Sequence, residues 1–513
     1  MVAAAGFFGL HFLHLGADFP NHSPWMDWSK YTDEGWYGDA AIRHIQLGQW
    51  NVPGDFNPAA ALPVWPMLEY VVFRVAGVGL VAARALTVSV FGGILLAAYF
   101  LLRRFSGKDA LSPAVAVVLL AVSPFCYAFT RLAILEPLLI LLGLLALLVA
   151  SCAGRWSSAI GLGVLLPVMV LTKTTAIFLL PSIAWMLWAT SGYRVREFLR
   201  VAVPAAGIAA GLWGIYFALV VRPLYLEDYR YLFSANAYTG MTRENAWSVI
   251  EATVRDGMWM GKAIYPLALV ALVVALVGCR RYFRNPLVPS LMLWASGYAG
   301  FLAYHNNLQP RYYLVIAVVL TMLVAIVGEE SLRAFGAAKG MAFRVGALAA
   351  VVAMVSADAR QTVEYVRTPT YCFEQAAREL RDVVEADDTR NKGHSPLLLS
   401  ISGSDISLMT GLPSICDDFG TMTLEERAAA YRPGWYATWN EVEDDKMDAL
   451  SPLFHLVRVA AFQVFDDPER NLLILYRLDP PQVEAPRKRR RKSVPKRLQT
   501  KIGQQPSAEQ LEH

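Results

Sequence analysis

Charge is what this sequence has least of. Only 17% of its 513 residues are Asp, Glu, Lys or Arg, while 56% are hydrophobic. A soluble domain carries about a quarter charged residues, so the shortage excludes an ordinary water-soluble globule. Cysteine is also sparse: the five present show no metal-ligand spacing, which removes a zinc-type motif from consideration. Cys126, Cys152 and Cys279 fall in or beside apolar runs, where a thiol packs as a small hydrophobe. Cys372 and Cys416 lie in the polar C-terminal part, and a disulfide between them is open if that part faces an oxidising space. The opening "MVAAAGFFGL" lacks a basic flank, which argues against a cleaved signal peptide; the native start could lie upstream. The final "LEH" resembles a purification-tag scar. No internal repeat is visible.

The apolar residues come in blocks of membrane-crossing length. Candidate spans run over roughly 2–19, 79–102, 111–129, 132–151, 158–171, 174–190, 201–221, 262–279, 286–304, 312–328 and 340–357, each near the length a helix needs to cross a bilayer core. Alternate short loops are basic. One set holds Arg103, Arg104, Lys108, Arg155, Arg194, Arg196, Arg200, Arg280, Arg281, Arg284, Arg333, Lys339 and Arg344; the other holds Arg131, Lys173 and Arg311. The positive-inside rule puts the first set in the cytoplasm. The pattern predicts a polytopic α-helical membrane protein of about 11 transmembrane helices, starting inside and ending outside.

Three larger pieces then face the extracytoplasmic side. The loop 20–78 contains two amphipathic surface helices near 35–48 and 62–76. A second outer loop covers 222–261. Beyond a transmembrane module 1–358, the segment 359–480 reads as a small α/β domain: "CFEQAARELRDVVEA" has helical periodicity, while "PLLLSIS", "FHLVRVAAFQVF" and "NLLILYRL" read as strands. The tail 481–513 is basic and Pro-containing, with the composition of a disordered run. In a membrane setting it suits anionic lipid or an acidic surface polymer better than nucleic acid, with a plain solvated tail as the rival.

Charges at the membrane edge are costly, so each needs a reason. Asp33 and Glu34 follow the first span, in "YTDEGWYGDAA". Arg84 lies in the outer part of the second span, and Arg131 precedes Glu136 in "RLAILEP". Lys173 sits in the turn "VLTKTTA", and Arg311 opens a span in "HNNLQPRYY". All fall at one depth on one face. Single basic residues at helix ends are commonly anchors. A converging set of acids and cations suits an anionic substrate, with Arg and Lys on phosphate and a carboxylate left to take a proton.

These segments resemble a known family. "TDEGWYGDAA", "RLAILEPLLILLGLLAL", "LTKTTAIFLLP" and "QPRYYL" occur in the order found in GT-C class glycosyltransferases that use polyprenyl-phosphate-linked sugars. The likeness is greatest to family 39, which holds protein O-mannosyltransferases and lipid A aminoarabinose transferases. The resemblance covers roughly 1–330 and implies a GT-C type fold. It implies that Asp33 is the catalytic carboxylate, with Glu34 as fallback and Glu136 as the second acid. Lys173, Arg311, Arg84 and Arg131 would meet the lipid phosphate. Tyr37, Tyr312, Trp36 and Tyr313 are candidates to stack on sugar or prenyl chain. One departure stands out: where some relatives have Lys before the first-loop proline, this chain has Asn57.

The implied reaction moves a hexosyl or pentosyl group from a polyprenyl-phosphate donor to a glycolipid, polysaccharide or protein acceptor by inverting displacement. A divalent cation, Mg²⁺ or Mn²⁺, between Asp33 and Glu136 is open, and Arg131 could serve in its place. His305 is a weaker candidate ligand or acid. The alternative is a lipid or solute transporter or flippase of cell-surface glycan assembly; such proteins typically show repeats and helices broken at midplane, which this sequence does not display.

Overall fold

A computed structural model describes residues 2–20, 33–107, 109–152, 154–235, 246–305, 309–334, 337–390, 394–401 and 403–481. The basic tail and the residues 21–32 that precede Asp33 lie outside these. The membrane part begins with α1 (Val2–Leu10), α2 (Asp33–Leu47), α3 (Val64–Ala76) and α4 (Leu80–Phe105). There follow α5 (Ser112–Val122), α6 (Pro124–Phe129), α7 (Leu135–Ala150), α8 (Arg155–Thr172) and α9 (Leu180–Thr190). Next come α10 (Val195–Tyr216), α11 (Leu226–Ala235), α12 (Ala246–Asp256), α13 (Ile264–Val277) and α14 (Cys279–Tyr282). The last are α15 (Leu287–His305), α16 (Leu314–Ala334) and α17 (Ala337–Arg367).

Apolar composition makes these helices, because a backbone in hydrocarbon must satisfy its own hydrogen bonds. Five described helical runs are long and apolar enough to cross a membrane: Leu80–Phe105, Arg155–Thr172, Val195–Ser234, Leu287–His305 and Pro310–Ala334. Four shorter apolar helices pack among them. α16 is the axis of the bundle: it touches α5, α7, α13 and α15, and buries Leu314 to Leu323 without a break. α10 is its opposite. It runs on through a π-helical stretch, Phe217–Tyr225, into α11, and is exposed along most of its length. Breaks set the ends that matter. Ser123 accepts the Cys126 N–H at 3.2 Å ahead of Pro124, separating α5 from α6. Tight 3-10 turns, Thr174–Leu179 and Pro310–Tyr313, precede α9 and α16.

The two first-loop helices form as expected, within a few residues. The C-terminal part holds α18 (Cys372–Arg390), β1 (Leu398–Leu399), α19 (Gly403–Thr410), β2 (Ser414–Ile415), α20 (Leu424–Tyr431), β3 (Trp435–Trp439), α21 (Asp444–Leu450), β4 (His455–Gln463) and β5 (Leu472–Asp479). The sheet order is β2-β1-β3-β5-β4, with β1 parallel to both neighbours and the other pairs antiparallel. One face packs Trp435, Trp439 and Leu475 against Phe373 and Leu380 of α18; the other gathers Leu399, Ile415, Tyr436 and Leu450. Cys372 and Cys416 are both free thiols, the first exposed and the second buried, so no disulfide joins them.

Candidate active site

α2 starts on two carboxylates because acids suit a helix N-terminus, yet both are spoken for by cations from distant spans. Asp33 makes an ion pair with Arg311, which the turn before α16 presents. Glu34 takes Arg84 of α4 in a two-pronged contact, 2.8 Å to Nε and 2.5 Å to Nη2, and also accepts the Ala133 N–H at 2.8 Å. Glu136, in the first turn of α7, pairs with Lys173 at the end of α8. All six side chains are buried.

Tyr312 joins two of the pairs. Its ring lies 4.6 Å from the Lys173 ammonium and 5.1 Å from the Arg311 guanidinium, a cation–π arrangement from both. Lys173 interacts electrostatically with Arg311 and Asp33 as well as with Glu136. Tyr37, one turn along α2 from Asp33, feels Asp33, Arg311, Glu136 and Tyr312 together; burial first, and then the Asp33 charge, push its phenol well above the ordinary value. It therefore stays a proton donor. The structure brings Asp33, Glu136, Lys173, Arg311, Tyr312 and Tyr37 into one cluster, with Glu34 and Arg84 as a neighbouring pair.

Other candidates have structural duties. Arg84 also donates to the Leu15 carbonyl at 2.8 Å and to that of Ala17. Arg131 donates to Tyr127 Oη at 2.5 Å and to the Leu13 and His14 carbonyls at 2.7 and 2.5 Å, tying the segment after α1 to the α6–α7 turn. Trp36 turns to the C-terminal part, donating to the Ile401 carbonyl at 2.9 Å and packing on Phe56 and Phe419. Tyr313 donates to Thr253 O at 3.2 Å. His305 packs on Phe301 and Tyr312. Asn57 staples its own loop: it donates to Asp228 at 2.9 Å and to the Val52 carbonyl at 2.9 Å, and accepts the Val52 N–H at 3.1 Å.

A divalent cation between Asp33 and Glu136 would have to displace Arg311 and Lys173. Among the described residues no three His, Cys, Asp or Glu side chains converge as ligands. The chemistry below uses Arg311 and Lys173 and has no metal step.

A second layer escaped the sequence reading. Asp405 of α19 accepts the Gly35 N–H at 2.6 Å, and Ser404 donates to Asp39 at 3.0 Å. Arg43 pairs with Asp39 at 2.7 Å and with Asp55, which also takes Arg427 at 3.1 Å and the Cys416 N–H at 3.0 Å. The C-terminal part thus grips the helix that carries Asp33. The i,i+4 spacing of Asp39 and Arg43 was a visible signal; Asp405 and Arg427 sit in polar segments where charge is ordinary and gave none.

This architecture is that of a polytopic helical membrane protein with the GT-C glycosyltransferase fold. Among solved structures it is similar to ArnT from Cupriavidus metallidurans bound to undecaprenyl phosphate, with 14% identity, a TM-score of 0.57, and 92% of this chain matched to 97% of that one. The same protein in the apo state gives 13% identity and a TM-score of 0.52 over the same shares. No family model matches the sequence, and no curated protein is similar to it in sequence.

Proposed function

We propose that this chain is a membrane glycosyltransferase that moves a sugar from a polyprenyl-phosphate donor to an extracytoplasmic acceptor, with Asp33 as general base. The observation that carries the reading is the pair of ion pairs, Asp33 with Arg311 and Glu136 with Lys173, meeting at Tyr312. Support comes from ArnT, a chain of the same fold whose structure holds undecaprenyl phosphate. The acceptor is a glycolipid, polysaccharide or protein. The protein would cross the plasma membrane about 11 times, with the cluster and the C-terminal α/β part outside.

The resting pairs give the mechanism its first step. A carboxylate bound to a guanidinium is a poor base, since the cation stabilises its charged form. An arriving donor phosphate offers Arg311 and Lys173 a competing anion, with the fork geometry that suits Arg. As those cations turn to phosphate, Asp33 is released to accept a proton. The acceptor oxygen attacks the anomeric carbon as its proton passes to Asp33. The bond from that carbon to the phosphate oxygen breaks, and polyprenyl phosphate leaves with the electron pair, held by Arg311 and Lys173. Configuration inverts.

Transfer in proteoliposomes tests this. Asp33→Asn is expected to lower turnover by about 10²–10⁴-fold, the range of a lost general base. Because it leaves Arg311 buried without its counterion, it should lower the resting melting point as well, so transfer is compared per folded protein. Near-normal transfer by the folded variant would overturn the assignment. Lipid translocation without any sugar transfer would instead establish a flippase.

A further inference from the structure

The end of the bundle far from the acids carries a concave arginine site with no part in the reaction above. Arg104 stands at the C-terminus of α4, twenty residues beyond Arg84 on the same helix. At 1.5 Å per residue that is about 30 Å, one hydrocarbon core away. There, Arg104, Arg281, Arg284 and Arg333 line a cavity of about 500 Å³ together with Asn285 and Glu330. They come from three separate parts of the chain: the end of α4, α14 with the turn that follows it, and the end of α16.

The positive-inside pattern explains basic residues on a face but not their convergence around a hollow. Their partners matter more. Arg104 donates to the Ser151 carbonyl at 2.5 Å and Arg281 to the Glu330 carbonyl, neutral groups, and neither arginine makes an ion pair among the described residues. Glu330 has its Oε1 held by Asn285 at 3.1 Å. Only Arg333 has an acid in contact, Glu329 at 2.8 Å. Arg284 is exposed and makes no ion pair among the described residues. Four guanidinium groups face two carboxylates, Glu329 and Glu330.

The approach to the hollow is apolar. Leu96 and Phe100 are 59% and 58% exposed and stand eight and four residues before Arg104. A helix puts residues at that spacing on one face, so an apolar stripe leads along α4 to the arginines. Phe105 lines the cavity beside it. Charge in a pocket with greasy surface below it matches a lipid: phosphate in the hollow, acyl chains along the stripe.

We propose that this pocket binds the headgroup of an anionic glycerophospholipid through its phosphodiester. Guanidinium forks suit phosphate oxygens, and basic pockets between transmembrane helices are established sites for such headgroups. A lipid with two phosphodiesters in one headgroup would use more of the four arginines than one with a single phosphodiester. The site is independent of the transfer reaction.

The full-length protein, stripped of lipid in detergent, is titrated with cardiolipin, phosphatidylglycerol, phosphatidylcholine or inorganic phosphate. Native mass spectrometry counts the bound lipid, and thermal melting follows its effect. Cardiolipin is expected to bind most tightly and raise the melting point, with phosphatidylcholine and phosphate inert. Arg281→Gln/Arg284→Gln should weaken cardiolipin at least tenfold. Arg194→Gln/Arg196→Gln, which removes two exposed arginines outside the pocket, should leave it unchanged. Equal losses in the two double variants would reduce the effect to diffuse surface charge and overturn the site. An equal response to phosphatidylcholine, or to phosphate alone, would overturn it too. Should the pocket double variant melt early in phosphatidylcholine, Arg284→Gln alone carries the same test, with about a threefold loss expected and an unchanged affinity refuting it.

Discussion

Glu136 shows how a single side chain couples stability to substrate. Its Oε1 holds Lys173, while its Oε2 has no hydrogen-bond partner among the described residues. Removing one member of a buried pair costs about 3–5 kcal/mol, because the other charge is left uncompensated. Glu136→Gln should therefore lower the melting point in the resting protein. A bound phosphate would supply the missing counterion. Added polyprenyl phosphate is thus expected to raise the melting point more in Glu136→Gln than in the wild type; equal shifts would mean that Lys173 does not meet phosphate. At this scale the sequence was legible wherever charge was out of place. Asp33, Glu136, Lys173 and Arg311 stood out against apolar surroundings, and the structure gathers them. Arg84 and Arg131 stood out for the same reason, but they serve carbonyls and Glu34, a distinction that only folded geometry reveals.

α2 is the element on which the cluster depends, and its seat against α19 is close. A Cβ placed on Gly35 would lie 2.1 Å from the Ser404 carbonyl carbon, a backbone atom that cannot swing aside. Overpacking a core usually costs about 1–3 kcal/mol, and this clash is with main chain. Gly35→Ala should cost at least that much, speed hydrogen exchange over 403–410, and reduce transfer by moving Asp33. Normal exchange there would show that the contact is dispensable. Long elements were readable in advance: apolar blocks of span length became helices at α4, α15 and α16, and α2 and α3 fall within a few residues of the helices that periodicity placed in the first loop. Short ones were not. β2 is two residues long, below any periodicity, and β3 is buried at all five positions, so "WYATW" lacks the alternation that marks a half-exposed strand; β1, equally short, is the exception, carried by the apolar run "PLLLSIS".

Across the whole molecule, the contact between the C-terminal part and the first loop includes two acids, Asp39 and Asp405, whose carboxyls burial pushes up. Burial, with Asp55 adding to it, pushes Asp39 up to about 7 against the pull of Arg43 and Ser404. Burial also holds Asp405 well above the carboxylate range, despite the Gly35 N–H it accepts. A carboxyl raised on folding contributes stability that is complete below its unfolded pKa, about 3.9, and is lost as pH climbs through the folded value. For Asp39 the window is about pH 4 to 7; for Asp405 it extends further. Asp405→Asn keeps an oxygen for the Gly35 N–H and cannot ionise. Its melting point should gain on the wild type steadily from pH 5 to 8, and a constant difference would contradict the assignment. The same contact has a temporal side. Arg427 and Asp405 leave the ribosome long after Asp33 and Asp55. The helices that carry Asp33, Glu136, Lys173 and Arg311 are made before the clamp that steadies α2, so a chain caught partway through synthesis carries all four charges without the grip that aligns them.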